Sequence, residues 1–155
     1  GALIVLERDI GLRTFIESGV RLDAHISRDL LLSLFHKDTA LHDGAAIVQK
    51  DRLSAAACFL PLSMNPAISS KFGTRHRAAI GITEETDCLA VVVSESTGQI
   101  SAAAFGEIEA DLTIKELAER IEKHFGRRGP WRQLREEREL PVPNEAAQIQ
   151  KVSRP

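Results

Sequence analysis

Five short runs of apolar residues, mostly branched or small, recur along the chain. They are Ala2–Leu6, Ala45–Val48, Leu53–Phe59, Cys88–Ser94 and Ile100–Phe105. Runs of this length, bounded by turn residues, are typical of buried β-strands. A β-sheet is therefore the element around which this chain has to fold.

Helical patterns lie between these predicted strands. Ser27 is a good N-cap for a helix over Arg28–Lys37, and Thr74–Glu85 is predicted to form a second helix. A capping box at Thr113–Glu116 begins a third helix, which Gly126 is well placed to end.

Short polar turns separate two of the strand pairs, which predicts hairpins as well as crossover connections. The turns are Gln49–Arg52 and Thr97–Gln99. Leu60–Gly73 contains prolines and serines and is predicted to be a long loop, and Glu107–Ala110 is predicted to be an edge strand. Together these patterns predict an α/β fold: a single domain with a mixed central β-sheet flanked by α-helices.

The length of 155 residues suits one globular domain. After Gly126 the chain becomes dense in charges of both signs. We therefore predict that the folded domain covers residues 1–128, and that residues 129–155 form a short helix and a flexible tail. No apolar run approaches the roughly 20 residues that a membrane-spanning helix needs.

The charge of the chain and the positions of its cysteines and histidines narrow the range of functions that it could have. The chain has 20 basic and 22 acidic residues, a formal net charge of −2, so no overall field draws it to nucleic acid or to an anionic membrane. Cys58 and Cys88 lie far apart in apolar segments, as buried free thiols do. His25, His36 and His124 lack ligand-like spacing and are interpreted as surface or helix-flank residues. Because the overall charge is nearly balanced, any phosphate binding must come from a local site.

Three short polar segments carry groups that can do chemistry. In the first, Leu41–Ala45, the imidazole of His42 and the carboxylate of Asp43 come just before a predicted strand. Gly44 allows a ligand to approach the backbone closely. Because Asp-Gly is also a common turn dipeptide, the same residues are compatible with a plain turn.

The second segment, Gly73–Arg77, stands at the start of a predicted helix. Free amides and the helix dipole attract phosphate at such a position, and Thr74, Arg75 and Arg77 add further donors. A solvated basic turn is the alternative. The third segment, Ser94–Gly98, places a hydroxyl and a carboxylate at the end of a strand, but it fits a plain hairpin turn equally well.

Together the three segments resemble the diadenylate cyclase (DAC) domain family. Its Asp-Gly-Ala and Arg-His-Arg signatures are matched by Asp43–Ala45 and Arg75–Arg77, and the similarity runs from about Ala2 to Phe125. The resemblance is greatest to the membrane-anchored cyclic di-AMP synthase branch. It implies an enzyme that condenses two ATP molecules into cyclic di-AMP and two pyrophosphates.

The resemblance also implies a role for each site residue. The expected catalytic residues are Asp43, Arg75 and Arg77, and the expected ligands of a divalent ion, Mn²⁺ or Mg²⁺, are His42, Asp43 and Glu95. The expected substrate-binding residues are Gly44, Ala45, Leu60, Gly73, Thr74, Arg75 and Ser94. Ser96 departs from many membrane-anchored relatives, which have a second glutamate there, and the change is expected to alter ion affinity or preference.

ATP as substrate and a face-to-face homodimer for activity are also implied, because in this family the 3′-hydroxyl of each ATP attacks the α-phosphate of the other. No nucleic-acid partner is expected. Membrane-spanning segments N-terminal to this chain are expected, so that the chain would be a soluble cytoplasmic piece of a protein held at the cytoplasmic face of the cell membrane.

Two other functions compete with this hypothesis. One is a catalytically weak or inactive nucleotide-binding regulatory module, which Ser96 favours. The other is a His-Asp phosphohydrolase, suggested by His42 and Asp43. Enzymes of the second kind are wholly helical, whereas here the pair leads directly into a predicted strand.

Overall fold

A seven-stranded sheet forms the centre of the computed structural model, which describes residues 1–126. The predicted boundary at residue 128 and the predicted tail over residues 129–155 lie outside the described residues. In chain order the strands are β1 Ala2–Leu6, β2 Val20–His25, β3 Ala45–Gln49, β4 Arg52–Cys58, β5 Leu89–Val93, β6 Ile100–Ala104 and β7 Glu107–Leu112.

The strand order across the sheet is β2-β4-β3-β1-β5-β6-β7. β1 and β3 are parallel, and every other neighbouring pair is antiparallel. The sheet is therefore mixed, as the sequence predicts. The helices are α1 Arg13–Glu17, α2 Arg28–Leu34, α3 Pro66–Ser69, α4 Thr74–Glu85 and α5 Ile114–Phe125.

Alternation of side chains along the central strands builds one core on each face of the sheet. In β1, Leu3 and Val5 belong to the core that includes residues of α1 and α4. Ile4 and Leu6 point the other way, into the core that includes residues of α2 and α5. Both faces are thus covered by helices, and the predicted α/β fold is confirmed.

Several local predictions about the elements were wrong or incomplete. The predicted loop Leu60–Gly73 contains the short helix α3. β2 was not predicted, because its charged residues hide the weak apolar alternation of an edge strand, which within residues 1–126 pairs only with β4. The helix over Arg28–Lys37 ends early, at Leu34. The hydroxyl of Thr39 lies 2.9 Å from the carbonyl oxygen of Leu34, which satisfies the helix end without a further turn.

His124 is buried, with 5% of its surface exposed, so its interpretation as a surface or helix-flank residue was wrong. Its Nε2 lies 2.7 Å from the carbonyl oxygen of Asp87 and donates to it. The ring also contacts Phe105 and Phe125. Burial lowers the pKa of His124, which makes the neutral ring the stable form in this contact.

The two cysteines are buried free thiols, as predicted. Burial raises the pKa of both Cys58 and Cys88 to about 11, so neither thiol ionises near neutral pH. Among residues 1–126, no helix has the length and apolar character needed to cross a bilayer.

Gly81 lets the loop after β4 pack directly on α4. A Cβ at this position would lie 1.9 Å from the carbonyl oxygen of Pro61. Beside this contact, the backbone N–H of Ser63 donates to the Arg77 carbonyl at 3.0 Å, and the Ser63 hydroxyl donates to Glu84 at 2.6 Å. Glycine weakens a helix interior, but here it allows the loop and the helix to approach each other.

Replacing Gly81 with alanine is expected to destabilise the domain by roughly 1–3 kcal/mol, because the added methyl group would displace the Pro61 backbone. Urea unfolding followed by circular dichroism measures this change. Gly11→Ala is the matched control, since a Cβ there meets nothing within 4 Å. Equal free energies of unfolding for the two variants would contradict the role given to Gly81.

Candidate active site

The three polar segments meet at one end of the central sheet. β1 and β3 begin at this end, and the antiparallel strands β5 and β4 finish there, since Ala2 pairs with Val93 and Ala45 with Cys58. The residues just before β3 and just after β5 are therefore close to each other. The N-terminus of α4 adjoins both, because all three contribute to one cleft.

This cleft has a volume of about 950 Å³, which suits a ligand of nucleotide size. Its polar wall consists of the three segments, and its remaining lining is mainly apolar. The polar lining residues are His42, Asp43, Thr74, Arg75, His76, Ser94, Glu95 and Ser96, together with Gly44 and Gly73, and the apolar ones are Leu3, Cys58, Phe59, Leu60, Leu62, Ala78, Val92 and Val93.

Two of the predicted site residues do not line the cleft. Ala45 is fully buried in the core. Arg77 lies one turn into α4, and its Nε is buried without a hydrogen-bond partner among the described residues. Its backbone carbonyl accepts a hydrogen bond from the N–H of Ser63. Arg77 therefore stabilises the loop beside the cleft without lining the cleft itself. The substrate-binding and catalytic roles of these two residues stay predictions.

Several lining residues were not identified from the sequence. Leu3 and Val92 are ordinary core residues by pattern, and only the strand register shows that they reach the floor of the cleft. Phe59 and Leu62 flank the predicted Leu60 and are exposed, at 77% and 39%. Large apolar residues in a loop that joins two polar segments are the signal that identifies them.

Gly44 has a structural reason to be glycine. Its φ of +104° lies in a region that residues other than glycine rarely adopt, and a Cβ would lie 2.8 Å from the backbone carbonyl carbon of Ala57. The chain therefore passes tightly against the end of β4 just before it enters β3. This turn directs the preceding Asp43 into the cleft, where it is exposed.

The half-buried His42 is held by the turn that precedes it. Its Nδ1 lies 2.6 Å from the carbonyl oxygen of Thr39. Since a carbonyl can only accept, Nδ1 is the donor in this contact.

The N-terminus of α4 presents unpaired donors to the cleft. Its N-cap is Gly73, and no side chain in the described part of the chain caps the helix. The first amides of a helix have no intrahelical acceptor and carry the positive end of the dipole. Thr74 and Arg75 follow directly, so an anionic group in the cleft would meet backbone, hydroxyl and guanidinium donors together.

An ion pair joins the second and third segments. Nη1 of Arg75 donates to Oε2 of Glu95 at 3.0 Å. This hydrogen bond, reinforced by the guanidinium charge, lowers the pKa of Glu95. Glu95 is therefore ionised at neutral pH and holds Arg75 at the cleft.

His76 lines the cleft beside Arg75 and stacks on Phe72, with ring centroids 5.3 Å apart. Burial lowers the pKa of His76, so the ring is predominantly neutral at neutral pH. The charge of this part of α4 therefore comes from its arginines and its amide end.

The donor set at the cleft fits a hard divalent cation in part. Among residues 1–126, no three His, Cys, Asp or Glu side chains come together as a metal cage. His42 and Asp43 nevertheless both face the cleft. Mg²⁺ is commonly bound by one or two carboxylates and completes its shell with water and substrate phosphates, so the Asp43 carboxylate is the better matched of the two donors. The pair fits an ion that is shared with a phosphorylated ligand.

The fold is a mixed sheet covered by helices, with a cleft at one end. Free helix amides, a guanidinium and carboxylates line this cleft. Together these features define an α/β domain with a site for a phosphorylated ligand. Residues 1–108 match the DAC family, described as DisA bacterial checkpoint controller nucleotide-binding. The chain belongs to this family, and the predicted family membership is confirmed.

Curated relatives and solved structures agree with this membership. Cyclic di-AMP synthase CdaA of Bacillus subtilis (strain 168) is 49% identical over 125 residues, which cover 81% of this chain and 46% of the relative. A crystal structure of a double mutant of DacA from Staphylococcus aureus has a TM-score of 0.78 and 45% identity, covering 81% of this chain and 83% of that chain. A hypothetical membrane spanning protein from Bacillus cereus has a TM-score of 0.69 and 43% identity, over 72% and 55% of the two chains.

The chain thus spans less than half the length of the Bacillus subtilis relative, at 46%. The shared part includes strands β1 to β6 and all three polar segments, because the family match reaches residue 108. The similarity therefore covers the whole candidate site.

Replacing Arg75 with glutamine is expected to raise the pKa of Glu95 back toward its ordinary value, because the main cause of the lowering is the Arg75 hydrogen bond. Since the folded-state pKa is the lower one, the stabilisation from this pair is present at neutral pH and is lost as the pH falls through that pKa. A ¹³C NMR titration of the glutamate carboxylates measures the shift.

Arg13→Gln is the matched control, since Arg13 pairs with Glu17 and neither residue lines the cleft. It should leave the Glu95 titration unchanged. A Glu95 pKa that is the same in wild type and Arg75→Gln would show that the ion pair does not form in solution.

Proposed function

We propose that this domain is a diadenylate cyclase, which condenses two ATP molecules into cyclic di-AMP and two pyrophosphates. The observation that carries the proposal is that Asp43 and the amide end of α4, with Arg75, line one cleft in a chain of this family. The relatives named cyclic di-AMP synthase and diadenylate cyclase, at 49% identity, support the same activity.

The reaction needs a base or an equivalent for the hydroxyl and donors for the phosphate. Each ribose 3′-oxygen forms a bond to the α-phosphorus of the other ATP, pyrophosphate leaves, and the hydroxyl proton must be removed. The exposed Asp43 carboxylate is the group in the cleft suited to bind that hydroxyl and draw its proton. The α4 amides, Thr74 and Arg75 would hold the triphosphate and stabilise the charge that builds on it.

A divalent ion, Mn²⁺ or Mg²⁺, would be held by His42 and Asp43, with Glu95 as a third candidate ligand. When bound, such an ion neutralises phosphate charge and makes the hydroxyl more acidic. Glu95 is engaged by Arg75, so its use as a ligand would require that pair to open. Ser96, whose hydroxyl lies 3.3 Å from that of Ser94, supplies no carboxylate to replace it.

Activity would require a face-to-face homodimer. The cleft of about 950 Å³ suits one nucleotide, whereas the product joins two. Two protomers that present their clefts to each other would bring each 3′-hydroxyl to the other α-phosphate, which turns a bimolecular encounter of two ATP molecules into an effectively unimolecular, oriented step.

The site of action would be the cytoplasmic face of the cell membrane. The similarity to a protein described as membrane spanning supports this location. The anchor would belong to segments outside residues 1–126, which contain no membrane-crossing helix.

A nucleotide-binding regulatory module is the second candidate function. It is favoured by one observation: Arg75, an expected catalytic residue, and Glu95, an expected metal ligand, are paired with each other. Such a module would bind ATP and release it unchanged.

Incubating the protein with ATP and Mn²⁺ is expected to yield cyclic di-AMP, identified by mass, and pyrophosphate. Asp43→Asn should lower turnover by roughly 100-fold or more, the usual contribution of a positioned base, with ATP affinity nearly unchanged. Asp51→Asn, in the exposed β3–β4 turn, is the matched control and should keep full activity. ATP binding without product in the wild type would favour the regulatory module, and full turnover in Asp43→Asn would refute the role of that carboxylate.

Initial rates should rise with more than the first power of protein concentration in the range where the dimer dissociates, because a single protomer cannot complete the reaction. Rates measured over a dilution series, beside the mass distribution from analytical ultracentrifugation, test this. A specific activity that stays constant while the dimer falls apart would contradict the face-to-face scheme.

A further inference from the structure

Thr39 ties the end of α2 to the first polar segment. The residue is half-buried, and its hydroxyl lies 2.9 Å from the carbonyl oxygens of both Leu34 and His36. Its backbone N–H also donates to the His36 carbonyl at 3.0 Å. Carbonyls at a helix C-terminus lack intrahelical donors, so this one residue satisfies the end of α2 and is itself fixed there.

The carbonyl of the same residue faces the active-site histidine. It accepts from Nδ1 of His42 at 2.6 Å, and the backbone N–H of His42 makes a longer contact with it, at 3.5 Å. A neutral imidazole carries one ring proton. Because the carbonyl requires that proton on Nδ1, Nε2 of His42 keeps its lone pair.

We infer that Thr39 is a positioning residue that fixes the tautomer and the ring orientation of His42, so that Nε2 is ready to bind a cation. This inference rests on the proposed function, in which His42 is a metal ligand. The hydrogen bond made by one ring nitrogen decides which nitrogen is free to coordinate, and such partners raise metal affinity. A carbonyl whose residue is anchored by its hydroxyl to the last helical residue, Leu34, and by its backbone N–H to His36 is a stiffer partner than one in a free loop.

A purely structural role for Thr39 makes a different prediction. If the hydroxyl only caps α2, its removal lowers stability and leaves the His42 ring unchanged. If it positions His42, its removal also changes the ring. The tautomer of His42 therefore separates the two roles, and it can be observed without metal, substrate or turnover.

The first measurement is a long-range ¹H–¹⁵N NMR spectrum of the histidine side chains in the metal-free wild-type protein, at a pH above the histidine titration range. The expected pattern for His42 is that of the tautomer with its proton on Nδ1. The opposite tautomer would overturn the inference, whether or not the protein makes cyclic di-AMP. This result needs no variant and so does not depend on any variant folding.

The second measurement uses a pair of variants. Thr39→Val keeps the branched shape and removes the hydroxyl, whereas Thr39→Ser keeps the hydroxyl. In Thr39→Val we expect a mixture of His42 tautomers and an apparent Mn²⁺ affinity that is roughly 3- to 10-fold weaker, below the full effect of losing an outer-shell partner. Thr39→Ser should stay close to wild type in both readouts.

Mn²⁺ affinity is read from the paramagnetic broadening of the His42 signals, which does not require activity. Ser33→Ala is the control, since it removes a hydroxyl that donates to the Asp29 carbonyl within α2 and takes no part in the hydrogen bonds of Thr39 described above. Unchanged His42 signals in Thr39→Val, or equal losses in Thr39→Val and Thr39→Ser, would overturn the inference. If the NMR results hold but no cyclic di-AMP forms, the proposed function fails and the positioning role stands.

Discussion

The parallel pairing of β1 with β3, inside a sheet that is otherwise antiparallel, is the constraint on which the site depends. It makes both strands begin at the same end of the sheet, and the antiparallel neighbours β4 and β5 then have to finish there. The segments at residues 41–45 and 94–98 are thereby brought together, and the start of α4, at residues 73–77, adjoins both at one cleft. An antiparallel β1–β3 pair would send the His42–Gly44 turn to the opposite end.

The packed strands that form the floor of the cleft and the polar groups that could do chemistry lie in different parts of the fold. The floor of the cleft is made of strand residues such as Leu3 and Val92, which are fixed by packing on both sides of the sheet. The polar groups stand on turns and on a helix end, where backbone donors are free. A domain with a net charge of −2 can still attract an anion, because the charge of Arg75 and the α4 dipole act within the cleft rather than over the whole surface.

Much of this arrangement was predictable because it depends on local patterns. Apolar runs predicted the central strands, the Thr113–Glu116 capping box predicted the start of α5 and is present, and α4 has the bounds expected. What local patterns do not contain is register and tertiary burial. β2 was missed because an edge strand needs little apolar surface. The burial of His124 was missed because it comes from tertiary contacts, among them the one with a carbonyl 37 residues away. The metal ligands, the roles of Ala45 and Arg77 and the tail stay predictions.

The two edge strands of the sheet, β2 and β7, have a further consequence. β2 interleaves the ionic residues Arg21 and Asp23 with partly buried ones, and β7 exposes Glu107, Glu109 and Asp111. An unpaired strand edge invites another chain to extend the sheet by hydrogen bonding. Two β7 edges that met would bring rows of carboxylates together, so self-templated growth of the sheet is disfavoured and copies of the domain are free to associate through other faces.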